Sequence, residues 1–380
     1  PNSFGQPVHR SWKGFDTIKS IFFGMFSLPE QLSYRFQIIE NYPKITIIHQ
    51  RMVDGTLWAT SGRHVVFSRG SGWKPYASFP FCAPRDFFAF SRPTSRAARA
   101  DKCNLMVNSC GRVIGIRGGR VYSLREGKTA QPLFAIQGDC GLHRSWCEDA
   151  QGWVYFGEYF MNPHRQPVRI WRISPDVDRW EVAYEFPPSR IRHVHGVYRD
   201  PFEQETFWVT VGDLEGECFL LKTNNRFKSF QSFGDGSQDF RAVNLFFTRQ
   251  SVNWLTDSNV KLNHACRMER SSARIEKGQP LDASVWYGCP TPEGVFLAFT
   301  TIERGPAIHS QASAVWISED AFHWVKIYEF KKDFYRPVQI FKYGVISCPA
   351  GPMSLNEFYL SGEGLVGLDG CSLKASIQRI

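Results

Sequence analysis

Short runs of alternating apolar and polar residues, separated by turn-forming Gly, Pro, Asp and Asn, recur along the chain from Ile45 onward. At 168–174 the order is Val-Arg-Ile-Trp-Arg-Ile-Ser, and at 180–186 it is Trp-Glu-Val-Ala-Tyr-Glu-Phe. A period of two places one face of each run in a core, which predicts half-buried strands. The runs come in groups of four. One group is 142–149, 152–158, 168–174 and 180–186; the next is 193–200, 206–213, 218–223 and 227–233. Further groups begin near Ile45, Asn104, Arg241, Ser284 and Pro337. Second strands then start at 55, 111, 152, 206, 251, 294 and 344. A period of about 40–50 residues with four strands per unit is the signature of a β-propeller. The expected fold is all-β: a single β-propeller over 41–380 with seven blades of four antiparallel strands, six being the alternative count. Residues 1–40 are read as an N-terminal extension that supplies either a closing outer strand, through 33–39, or a lid.

Composition agrees with this picture. The chain is 43% hydrophobic and 15% aromatic, enough for a large core, and aromatic and β-branched residues on short segments favour strands. No stretch approaches the ~18–20 consecutive apolar residues of a membrane helix, so no membrane span is expected. The net charge of +9 suits a polyanionic partner. The basic residues are dispersed, however, and the loop 234–238 lacks the Lys-Ser/Thr ending of a phosphate-binding loop, so nucleic acid and nucleotide are not expected. The ten Cys show neither a CxxC pair nor a Cys/His zinc spacing. Buried free thiols, with no leader-like segment at the given N-terminus, point to the cytoplasm. An extracellular or periplasmic setting applies if the N-terminus was trimmed.

Two of the repeated groups share the phrase Ser-x-Asp-x-x-x-Trp, at Ser174, Asp176 and Trp180 and at Ser318, Asp320 and Trp324, and both end in Tyr-Glu-Phe. The phrase resembles the Asp box of the sialidase-like (BNR-repeat) propellers. There the Asp would bond turn N–H groups and the Trp would pack between sheets. The resemblance implies the propeller fold and, since that family holds a substrate carboxylate with clustered arginines, an acidic glycan as ligand. The nearest match to the family's arginine motif is Tyr335, Arg336 and Pro337. The box itself marks turns away from any reaction centre.

In a propeller, ligand-facing side chains fall where first strands begin and second strands end. First-strand starts supply His143 and Arg144, His193 and His195, Arg241, Tyr287 and Arg336; second-strand ends supply Glu158, Asp213, Asp257 and Glu303, with Glu217 close behind. His193 and His195 share a strand face and suit acid–base work. Two such histidines are also a start on a metal site, but spacing fixes no third ligand, so no metal is expected; Ca²⁺ in the channel stays open and no other cofactor is called for. Arg144, Arg241 and Arg336 are candidate carboxylate clamps, against a plainer role in inter-blade salt bridges. The acids could form the pair that glycoside hydrolysis needs, or cap turns. Tyr287 could act as nucleophile or base, or simply pack.

The catalytic candidates are therefore His193, His195, Tyr287, Asp257 and Glu158. The substrate-binding candidates are Arg144, Arg241, Arg336, His143, Asp213, Glu217 and Glu303. The expected function is an enzyme acting on an acidic oligo- or polysaccharide, by hydrolysis at the channel face. A lyase working by β-elimination through His, Tyr and Arg is the alternative. A non-catalytic glycan- or protein-binding propeller, with a place in polysaccharide biosynthesis, is the third reading.

Overall fold

The computed structural model describes residues 33–341 and 343–380. Within them the chain forms a seven-bladed propeller, each blade built on four antiparallel strands; in the first blade the short Lys128–Thr129 adds a parallel fifth beside Trp73–Ser78. The innermost strands are Ile47–Arg51, Asn104–Val107, Trp146–Glu148, Val194–Arg199, Ala242–Phe247, Ser284–Pro290 and Val345–Ser347. The second strands are Leu57–Ser61, Val113–Arg117, Val154–Gly157, Phe207–Val211, Ser251–Thr256, Phe296–Thr301 and Phe358–Glu363. Burial explains the two kinds of sequence run. Val154–Gly157 and Phe207–Val211 are buried throughout and read as continuous small or apolar segments. The outer strands Trp180–Phe186 and Val325–Lys331 meet solvent on one side and mix charged with apolar residues.

The last blade joins the two ends of the described chain. Its outer strand is Tyr34–Tyr42, which pairs antiparallel with Ser372–Arg379 from Tyr34↔Arg379 to Tyr42↔Ser372. Closure of this kind removes an open sheet edge from the ring. Phe36 anchors it, stacked on Tyr328 at 4.3 Å and edge-on to Phe358 at 5.8 Å. Of the extension read over residues 1–40, residues 1–32, and with them any lid, lie outside the described residues.

Two sequence expectations are corrected here. The run beginning at 344 is the innermost strand of the seventh blade, Val345–Ser347, and the second strand is Phe358–Glu363. Pro349 and Pro352 follow the short inner strand and cannot donate to a ladder, so the chain loops before the sheet resumes. The two Ser-x-Asp…Trp turns, moreover, are not built alike. In the sixth blade Asp320 Oδ1 accepts from the N–H groups of Phe322 and His323 at 2.9 and 2.8 Å. In the third blade Ser174 Oγ does this work, accepting from Asp178 and Arg179 N–H, while Asp176 sits exposed beside Arg112. The phrase therefore marks a tight turn before an outer strand rather than a repeated sialidase-like box.

Between the first and second blades an insertion carries the helix Arg92–Ala98, capped by Ser91 with Pro93 in its first turn. Its arginines reach the seventh blade and the segment leading into it: Arg92 and Arg96 lie 3.0 and 3.4 Å from Asp369, and Arg96 also pairs with Asp333. All ten cysteines are free, six of them buried, in keeping with their apolar surroundings.

Candidate functional site

Strand register, not local spacing, assembles the site. His193 and His195 flank Val194, which pairs with Val211; two residues beyond Val211 the chain reaches Asp213. The next blade repeats the geometry: Arg241 precedes Ala242, whose partner Thr256 precedes Asp257. In the sixth blade Ser284 pairs with Thr301, and Glu303 follows. Three blades thus present a polar first-strand start and an acid at the second-strand end on the same face.

Hydrogen bonds tie these groups together. Each histidine donates from Nδ1 to a backbone carbonyl, His193 to Phe160 O at 2.8 Å and His195 to Ala242 O at 2.9 Å. Their Nε2 atoms face each other at 3.0 Å. Asp213 closes the triangle, with Oδ1 3.3 Å from His195 Nε2 and Oδ2 3.5 Å from His193 Nε2. Arg241 lies between two acids, 3.0 Å from Asp213 Oδ1 and 3.3 Å from Asp257 Oδ2. Arg192 adds a second guanidinium at 2.8 Å from Asp213 Oδ2. Trp286 Nε1 donates to Asp257 Oδ1 at 2.6 Å, and Ser284 Oγ donates to Glu303. The Tyr159 ring covers His193 at 4.2 Å between centroids, and Tyr343 sits edge-on to Trp286 at 5.9 Å.

Burial makes these charges strongly interdependent. It would raise the Asp213 carboxyl, but hydrogen bonds to His193 and His195 and the charge of Arg241 hold it well below the usual carboxylate range. Asp257 goes the other way. Burial pushes it up to about 7, with the Glu303 charge adding and Arg241 opposing. Glu303 is also raised, chiefly by burial, against its bond from Ser284 and the charge of Arg241. The site therefore holds one firmly ionised acid beside another that keeps its proton near neutrality. Burial raises the hydroxyls of Tyr159 and Tyr343, which stay protonated beside the acids.

Of the residues singled out in the sequence, His193, His195, Asp213, Arg241, Asp257 and Glu303 come together here. The others sit elsewhere. Glu158 is buried, and its carboxylate accepts from Gln137 N, Arg169 N and Trp171 Nε1 at 3.0–3.1 Å, a tie between the second and third blades. Glu217 pairs with Arg165 at 2.6 Å. His143 and Tyr287 pack against each other, with His143 N–H donating to the Tyr287 hydroxyl at 3.4 Å. The His143 ring also lies 5.3 Å from that of His49, and burial keeps both imidazoles neutral, His49 titrating at about 3. Arg144 donates to Pro349 O; the exposed Arg336 donates to Asp333 O and Tyr335 O of its own loop. The three arginines do not form one clamp. Two surface hollows of about 310 and 280 Å³ beside the outer strands of the fourth blade, around Lys222 and Phe230, are separate from this chemistry.

Tyr159, Arg192, Ser284, Trp286 and Tyr343 were not foreseen. The positional rule could have found three of them, since Tyr159 follows a second strand while Ser284 and Tyr343 open or precede first strands. Arg192 and Trp286 adjoin residues already chosen.

No protein-family model matches the chain, and no curated protein matches it. Solved structures do. Virginiamycin B lyase from Staphylococcus aureus is 11% identical, with 91% of this chain and 99% of that one covered and a TM-score of 0.56. A catalytically inactive form of that lyase, solved with quinupristin, has the same identity and TM-score and covers 90% and 99%. YCF48 bound to a D1 peptide is 10% identical, covers 90% and 96%, and has a TM-score of 0.52. At these identities the likeness is one of fold, and the chain is a seven-bladed β-propeller similar in architecture to an enzyme and to a peptide-bound protein.

Proposed function

We propose that this propeller is an enzyme that cleaves an acidic oligo- or polysaccharide by hydrolysis at the face where His193, Asp213, Arg241, Asp257 and Glu303 meet. The carrying observation is the bridge of Arg241 between Asp213 and Asp257, with Glu303 close by. Cleavage of a glycosidic bond needs one carboxyl that holds a proton and another that is ionised. Asp257, titrating at about 7, is the proton donor to the leaving oxygen. Glu303 serves as the base. Asp213 stays ionised and fixes Arg241 and the histidines. The half-buried rings of Tyr159, Trp286 and Tyr343 offer flat apolar surface of the kind sugar rings stack on. The acidic character of the ligand rests on the net charge of +9 and on Arg192 and Arg241. A purely docking propeller has no need of a buried proton-holding acid.

The test is a panel of uronate- and sialate-bearing polysaccharides, read simultaneously for new reducing ends and for ultraviolet absorbance of unsaturated uronate. Reducing ends without absorbance are expected. Both signals together would replace hydrolysis by β-elimination. Binding of panel members with neither signal would place the molecule among binding propellers.

A further inference from the structure

The facing histidines pose a problem in proton accounting. A carbonyl only accepts, so the bonds to Phe160 O and Ala242 O require a proton on Nδ1 of both His193 and His195. In the neutral rings each Nε2 then carries a lone pair. Those two lone pairs confront each other across 3.0 Å, and the third corner of the triangle is the Asp213 carboxylate. Three acceptors thus converge, with His193 and His195 buried to within 2% of full. Something positive between them would resolve the conflict, either a proton shared by the imidazoles or a metal cation.

We propose that His193 Nε2, His195 Nε2 and the Asp213 carboxylate bind a single divalent first-row transition metal of the Zn²⁺ class. The dimensions are those of a metal site. Tetrahedral ligands at ~2.0–2.1 Å from Zn²⁺ stand about 3.3 Å apart; the imidazole nitrogens are 3.0 Å apart, His195 lies 3.3 Å from Asp213 Oδ1 and His193 3.5 Å from Asp213 Oδ2, and one ligand atom from each of the three residues lies within 4.8 Å of the others. A proton shared between the rings would bridge only two of the three groups at a time, whereas a metal binds all three at once; metal titration separates the two. The Nδ1–H···O=C bonds are the outer-sphere contacts that fix the tautomer and aim of metal-bound histidines. Two imidazoles select a borderline metal over Ca²⁺ or Mg²⁺, which prefer oxygen cages. Arg192 and Arg241 also hold Asp213, but each carboxylate oxygen has a second lone pair for a cation. This inference concerns the proposed catalytic face, yet does not depend on the glycan reading, because binding is measured without turnover.

The experiment uses the intact chain, stripped with a chelator and titrated with Co²⁺, with visible absorption and isothermal Zn²⁺ titration as readouts. One Co²⁺ per chain is expected, with a nitrogen- and oxygen-type visible band that Zn²⁺ abolishes. The Co²⁺ form of the wild type should also show two exchangeable, strongly shifted proton NMR signals, one from each Nδ1–H. His195→Ala, checked for folding by circular dichroism, should bind at least about 100-fold more weakly, beyond the ~10–100-fold cost of losing an outer-sphere partner. If that variant does not fold, the pair of shifted signals in the wild type decides alone. No Co²⁺ band, unaltered affinity in folded His195→Ala, absence of the paired signals, or an intense thiolate charge-transfer band from the cysteines would each overturn the proposal.

Discussion

Replacing Arg241 by Met should reveal how much of the fold's stability the charge bridge controls. Arg241 lies between Asp213 and Asp257 at 3.0 and 3.3 Å and is 9% exposed. Removing one partner of a buried ion pair costs ~3–5 kcal/mol, because the remaining charge has lost its compensation. Unfolding entropy of ~2.1 cal/mol/K per residue, over a chain of this length, turns that cost into a fall in Tm of about 4–6 °C. The loss should depend on pH, and its sign can be worked out. Asp213's folded value lies below its ordinary one, so its contribution to stability is present above the ordinary carboxyl range and vanishes as pH falls through the folded value. Asp257's folded value is raised to about 7, so the wild type loses stability as pH climbs from the ordinary range to about 7. Without Arg241 the Asp213 value climbs back from its depressed level and the Asp257 value rises further, so ionising the two in place costs more. The gap between variant and wild type should therefore widen between about pH 5 and about pH 8. Thermal melting at the two pH values measures it, with Arg241→Lys giving the smaller loss expected when charge is kept and the fork is lost. A deficit below about 1 kcal/mol at both pH values, the range of an exposed pair, would refute the buried bridge.

Trp286→Phe removes the 2.6 Å donor to Asp257 Oδ1; a hydrogen bond to a charged group is worth ~1.5–3 kcal/mol, so the Asp257 titration, followed by NMR or by the pH profile of turnover, should move up by about one unit or more. Gly157→Ala would bring a Cβ to 2.3 Å from Val194 Cγ1, between the two histidines; a cost of ~1–3 kcal/mol and a parallel loss of turnover are expected from melting and assay together. Phe36→Ala should cost roughly half of the ~3–5 kcal/mol seen for a fully buried Phe, because Phe36 is half-buried, and should leave turnover per folded molecule unchanged.

The propeller was legible because its strands signal themselves locally. Alternation such as that of 168–174 needs no distant partner to be read, and the repeat of four runs gives the blade. The seventh blade misled because its inner strand is only Val345–Ser347, and Pro349 and Pro352 break the pattern that the other blades keep. The Ser-x-Asp…Trp phrase suggested a shared box, yet Ser174 and Asp320 perform the same turn-capping by different atoms. At the site, the rule of first-strand starts and second-strand ends located His193, His195, Asp213, Arg241, Asp257 and Glu303. It could not say which of its candidates point at one another. Glu158 obeys the rule, but three N–H donors claim its carboxylate, and Arg144 turns to Pro349. The third corner of the histidine triangle was hidden for the same reason. Asp213 is distant along the chain and is brought there by the Val194↔Val211 register.

The most direct test of the account is to compare wild type with Asp257→Asn on the glycan that the panel identifies, measuring binding and turnover side by side. Asn keeps the size of the group and the acceptor for Trp286 but cannot deliver a proton. The account predicts binding within a few-fold of wild type and turnover reduced by ~10²–10⁴, the usual contribution of a positioned general acid. Turnover that survives the substitution with its pH profile unchanged would contradict it.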